Sequence, residues 1–124
     1  MADFNEFIAV DLETTGLHPA TDQIIEIGAA HFIDGELKHT FSELINPDFP
    51  LSIEIVELTG ITDGMLVQDG RTSIEVIAEF SEFIKNIPLV FHNGSFDTEF
   101  LKRFIPGIEK SFLDTKILAR TLYP

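Results

Sequence analysis

The sequence predicts a single α/β domain: an antiparallel meander of three strands, then parallel strands reached through helices that flank the sheet. Three observations carry this expectation. Asp34-Gly35 joins two strand-like stretches and is the two-residue signature of a type I′ hairpin. A helix-periodic segment separates that meander from a fourth apolar stretch, which makes a parallel crossover the natural connection. The chain has 124 residues, 44% of them hydrophobic, which is one domain's worth of material and enough for a real core; residues 1–124 are therefore read as one domain.

Taken in order, Phe7, Ile8, Ala9 and Val10 are apolar without alternation, the pattern of a strand covered on both faces. Turn-forming residues occupy Gly16 to Asp22, QIIEIGAAHFI (23–33) resumes as a second strand, and ELKHTFSELIN (36–46) returns as the third. Pro47 and Pro50 break the pattern. Ser52 with Ile53, Val56 and Glu57 reads as a short capped helix ending near Thr59-Gly60. The following ITDGMLVQDG (61–70) reads as a loop. Thr72 or Ser73 caps a helix with Ile74, Ile77, Ala78, Phe80, Phe83 and Ile84 at helical spacing, to be packed on the sheet. Pro88 to Phe91 forms the fourth strand and Ser95 to Phe104 a helix. SFLDT (111–115) is a fifth short strand running into a last helix capped by Asp114.

Cysteine is absent, which excludes disulfides and thiolate metal sites. The N-terminal MADFNEF lacks a basic region followed by an apolar stretch, and no apolar run is long enough to span a bilayer; no membrane association and a cytoplasmic location are expected. The formal charge of −13 opposes a nucleic-acid partner at first sight, because phosphate binding calls for a basic face. Its distribution is uneven. Residues 1–99 hold three basic and 19 acidic residues, whereas 100–124 hold five basic ones (Lys102, Arg103, Lys110, Lys116, Arg120) against Glu109 and Asp114. The cluster reads either as a solvated helix face or as a source of phosphate contacts.

The chemistry is concentrated in three acids. Asp11 and Glu13 lie two residues apart at the end of the first strand, so they project from one face about 7 Å apart along the chain. Like charges at the edge of a core raise each other's pKa or require a counter-charge. No lysine or arginine occurs in the first 37 residues, so a local salt bridge is unavailable. Hydration at a strand end is one account of the pair. A bound cation is the other, and hard oxygen ligands without cysteine favour Mg or Mn over zinc. In FHNGSFDTEF, Asp97 falls in the first turn of a helix just beyond the fourth strand. Sites in open α/β sheets assemble at the carboxyl ends of parallel strands, so a fourth strand beside the first would bring Asp97 to Asp11 and Glu13.

DLETTG (11–16), LTGIT (58–62), HNGSFDTEFL (92–101) and DTKILAR (114–120) resemble, in order and spacing across nearly the whole chain, the successive motifs of the DEDD-type, DnaQ-like 3′-to-5′ exonucleases. That family includes the proofreading subunits and domains of bacterial replicative polymerases. The resemblance implies a ribonuclease H-like fold and two divalent metal ions, Mg or Mn. It implies that Asp11 touches both metals, Glu13 supports one and Asp97 helps hold the other. Thr14, Thr15 and Gly16 would lie against the terminal nucleotide, Leu58 and Thr59 would press on the last base, Asn93 would line the pocket, and His92 would belong to the strand-end scaffold. The implied substrate is the single-stranded 3′ end of DNA, with a DNA polymerase as a partner; a non-catalytic polymerase-associated module and an RNA-directed exonuclease are the alternatives.

One family motif has no counterpart. In the branch this chain resembles, the fourth metal ligand and the general base lie together as H-x-A-x-x-D on a later helix, and no such motif occurs in these 124 residues. His92 and Asp97 have the same separation, but Asp97 already serves as the third acid. The expectation is an incomplete domain, lacking its C-terminal catalytic helix and weakly active or inactive by itself.

Overall fold

The computed structural model describes residues 5–92 and 94–113. Four strands form one mixed sheet in the order β3-β2-β1-β4, with β1 at Glu6–Thr14, β2 at Ile24–Ile33, β3 at Glu36–Leu44 and β4 at Leu89–Phe91. β1, β2 and β3 are antiparallel neighbours, and β4 lies parallel to β1 with Val10 opposite Phe91. The hairpin turn is the expected one: Asp34 and Gly35 take φ of 51° and 80°, the pair of positive values that a type I′ turn demands.

The helices are α1 (Ile53–Thr59), α2 (Asp63–Asp69), α3 (Ser73–Ile84) and α4 (Gly94–Phe104). Ser52 caps α1 by accepting from the Ile55 amide, and Thr72 caps α3 by accepting from that of Glu75. α2 corrects the loop expected over 61–70. It has a cap of its own, with the Thr62 hydroxyl accepting from the Met65 amide, and it buries Leu66. Seven residues interrupted by Gly64 are too few for periodicity to register, so tertiary burial decides the conformation.

Two clusters form the core. The larger packs Ile8, Val10 and Leu12 of β1 and Ile27 and Ala29 of β2 against Val76, Phe80 and Ile84 of α3 and Phe100 and Leu101 of α4. The smaller joins Ile25, Leu51, Ile61 and Leu66, with Ile55 and Val56 of α1 packed on it. Burial of β1 is thus complete on one face only, since Phe7 and Ala9 are half-buried; the non-alternating sequence overstated it. The fifth strand is also reduced. Ser111 closes a 3₁₀ turn over Ile108–Ser111, and Phe112 makes a single parallel bridge to Leu89. Asp114 and the last helix lie outside the described residues. No helix among the described residues is long and apolar enough to cross a membrane.

Candidate active site

Because β1 and β4 are parallel neighbours, their carboxyl ends meet at one edge of the sheet. Asp11 and Glu13 stand there on β1, and α4 starts three residues after β4 with Asp97 in its first turn. The three acids line one cleft of about 570 Å³, whose remaining wall includes Leu12, Thr14, Gly16, Leu17, Ile55, Leu58, Thr59, His92 and Phe96.

The acids occupy different environments. Asp11 is exposed and Glu13 half-buried, whereas Asp97 keeps only 2% of its surface. Burial, reinforced by the charge of Asp11 and more weakly of Glu13, pushes the Asp97 carboxyl up to about 6, against a counteracting hydrogen bond from the Leu12 backbone. Its Oδ2 atom is buried without a hydrogen-bond partner. Burial and the Asp11 charge raise the Glu13 pKa as well. Among the described residues no lysine or arginine pairs with any of the three. A buried carboxylate oxygen with no partner, within the influence of two further carboxylates, has the chemistry of a hard-cation ligand, without a formed metal site. As placed, the side chains are too far apart for this: among the described residues no three His, Cys, Asp or Glu groups could hold a metal ion.

The positions expected to touch a nucleotide divide. Thr14, Gly16, Leu58 and Thr59 line the cleft. Thr14 is buried and donates to the Gly16 carbonyl at 2.7 Å, while Thr59 donates to the Ile55 carbonyl at 2.8 Å. Thr15 is not on the cleft wall; its hydroxyl donates to Asp22 at 3.0 Å and accepts from the Gln23 amide at 2.9 Å, pinning the loop behind Gly16. Asn93 lies outside the described residues. Lys102 and Arg103 are committed elsewhere: Lys102 pairs with Glu99 at 2.9 Å, and Arg103 donates to main-chain carbonyls of the 16–22 loop.

The chain as a whole has counterparts among known proteins. Residues 8–124 match the exonuclease family RNase_T. The chain belongs to this exonuclease family. Its curated relatives include the DNA polymerase III PolC-type proteins of Clostridium perfringens, 41% identical over 97% of this chain and 8% of that one, and of Bacillus subtilis, 44% identical over 95% and 9%. The chain spans less than a tenth of the length of these relatives. Among solved structures, product-bound exonuclease I superposes with a TM-score of 0.78 at 20% identity, covering 96% of this chain and 32% of that one. A zinc-bound complex of E. coli exonuclease I with single-stranded DNA gives 0.77 at 21% identity, over 96% and 30%. These likenesses establish the ribonuclease H-like fold.

Two further residues, Leu17 and His92, stand on the cleft wall. Leu17 is 76% exposed at the cleft mouth, matching Leu58 at 79%. No sequence signal marks Leu17: a single exposed apolar residue on a turn is ordinary, and Ile53, Val67 and Ile74 are comparably exposed away from the cleft. His92, read as scaffold, is exposed and lines the cleft beside Asp97.

Proposed function

We propose that the chain is the nuclease domain of a metal-dependent 3′-to-5′ exonuclease that removes nucleotides from the single-stranded 3′ end of DNA, working in the cytoplasm beside a replicative DNA polymerase. The observation that carries this reading is the unpartnered, buried Asp97 oxygen in the same cleft as Asp11 and Glu13. Membership of an exonuclease family and the PolC-type relatives support it.

Asp11, Glu13 and Asp97 would hold two divalent ions, Mg or Mn. Such ions, when bound, activate the attacking water and stabilise the leaving 3′ oxygen. The chain's own residues do the rest. Leu58 on α1 and Leu17 on the loop after β1, both exposed at the same cleft, would offer apolar surfaces to the last base, and Thr14 and Thr59 keep the backbone beside them fixed through their own hydrogen bonds. Asn93 would complete the pocket. The net charge of −13 is compatible with a nucleic-acid substrate because bound cations invert the local field and a frayed strand end requires few phosphate contacts.

These 124 residues include no H-x-A-x-x-D motif, and positioned proton transfer contributes a factor of about 100 to 10,000. Weak hydrolysis by the 124 residues and strong hydrolysis by a chain that also carries that motif are therefore expected. A 5′-labelled single-stranded DNA, incubated with each form in Mg or Mn, should shorten one nucleotide at a time from its 3′ end, and Asp11→Ala should abolish this. Internal cleavage, or preferential degradation of RNA of matched sequence, would overturn the assignment.

A further inference from the structure

Gly16 and Leu17 open a loop that returns to the sheet at Gln23, and the inside of that loop is unusually full. The Asp22 carboxylate accepts from the Thr15 hydroxyl at 3.0 Å and from the His18 amide at 2.9 Å. A Cβ on residue 16 would lie 2.4 Å from an Asp22 carboxylate oxygen, so only glycine lets the carboxylate sit against the chain there. The Asp22 amide is bonded to the His18 carbonyl at 2.7 Å, and Thr15 donates its amide to the Gln23 carbonyl at 2.8 Å. One side chain reaches this loop from far along the sequence. Nη1 of Arg103, in the last turn of α4, donates to the Pro19 carbonyl at 2.8 Å and to the Asp22 carbonyl at 2.6 Å, and its guanidinium lies 4.7 Å from the centre of the Phe104 ring.

We infer that Arg103 is a positioning residue for the cleft: by tying α4 to the 16–22 loop, it fixes the Gly16 and Leu17 wall relative to Asp97. α4 carries Asp97 at one end and Arg103 at the other. The helix that presents the third acid is thereby fastened to the loop that presents the nucleotide-facing wall, and both ends of the cleft move as one body. A guanidinium engaged with two carbonyls acts through donation, not through a phosphate, which distinguishes this role from that of a basic residue guiding a strand. The inference rests on the exonuclease reading of the cleft, because it assigns the wall to a nucleotide.

The test uses an oligo(dT) octamer in Mn, with affinity measured over a range of salt concentrations, and amide hydrogen exchange without DNA. Arg103→Gln should bind about 3- to 10-fold more weakly, because the loop must then be ordered on binding, while the log-log salt slope stays at the wild-type value. Arg103→Lys, which keeps a charged donor, should recover most of the affinity. Lys102→Gln, equal in charge change, should leave it unaltered. The His18, Thr21 and Asp22 amides should exchange faster in Arg103→Gln. Affinity for Mn should not change, since the buried Phe100 and Leu101 hold α4, and with it Asp97, in the core without Arg103. If Arg103→Gln fails to fold, Thr15→Val loosens the same loop from its other end without a change of charge and should show the same weakening at constant slope. A slope reduced by about 0.7 in Arg103→Gln would make Arg103 a phosphate contact and overturn the inference. Wild-type affinity and wild-type exchange in that variant would overturn it too. Wild-type protein that binds no oligonucleotide would instead contradict the exonuclease reading, and the exchange data would then decide the brace separately.

Discussion

Replacing Asp97 by Asn should stabilise the metal-free protein at pH 8. The carboxyl is displaced from 3.8 to about 6, and each pKa unit corresponds to 1.36 kcal/mol, so holding Asp97 ionised in the folded state costs up to about 3 kcal/mol. The sign follows from proton binding. Between pH 3.8 and about 6 the folded chain keeps a proton that the unfolded chain has released, so wild-type stability falls as pH rises through this window and stays reduced above it. In the Asp97→Asn variant the side-chain amide does not titrate, can still accept from the Leu12 backbone, and turns a donor toward Asp11 and Glu13. For a chain of this size about 3 kcal/mol corresponds to a rise of about 10 °C in melting temperature. Thermal unfolding in EDTA from pH 3.5 to 8 measures it: the variant should melt well above wild type at pH 8, with the two converging at the acid end. A variant that melts no higher than wild type at pH 8, or by the same margin at every pH, would refute the claim that a buried charge is being held against its preference.

Other substitutions probe the walls and supports of the cleft. Gly16→Ala forces the Asp22 carboxylate out of contact and should cost about 1–3 kcal/mol in urea unfolding together with reduced oligonucleotide affinity. Leu58→Ala should leave stability within about 0.5 kcal/mol, because the side chain is 79% exposed, yet weaken binding of a single-stranded 3′ end in a fluorescence titration. Thr62→Ala removes the cap of α2 and should lower stability by about 1 kcal/mol, whereas Leu66→Ala, emptying the smaller core cluster, should lower it by about 2–5 kcal/mol, both read by urea unfolding.

Local chemistry made much of this fold legible. The Asp34-Gly35 turn, the Ser52 cap, the Thr72 cap and the apolar stripe of α3 each act within a few residues, and each is found where its residue types dictate. The acids were legible for a related reason: strand alternation puts Asp11 and Glu13 on one face, and a crossover strand brings Asp97 to the same edge. What escaped was set by distant partners. α2 is helical because Leu66 has a core to enter and because Asp63 accepts from the Leu51 amide at 2.9 Å, neither of which periodicity over seven residues can signal. Thr15 follows Thr14 at the strand end and so points the other way by alternation; its hydroxyl bond to Asp22, seven residues on, is what sequence does not signal. The contact of Arg103 with two carbonyls more than 80 residues earlier leaves no trace in sequence, since any residue supplies a carbonyl.

Divalent-metal binding by the three acids is the property on which the nuclease assignment turns. A calorimetric titration of Mn into the 124-residue chain should show saturable binding, and Asp11→Ala, Glu13→Ala and Asp97→Ala should each weaken it while the far-UV circular dichroism of the fold is retained. Unchanged Mn affinity in all three variants would mean that the carboxylates are hydrated surface groups around a buried acid, and that the cleft is not the site of a metal-dependent nuclease.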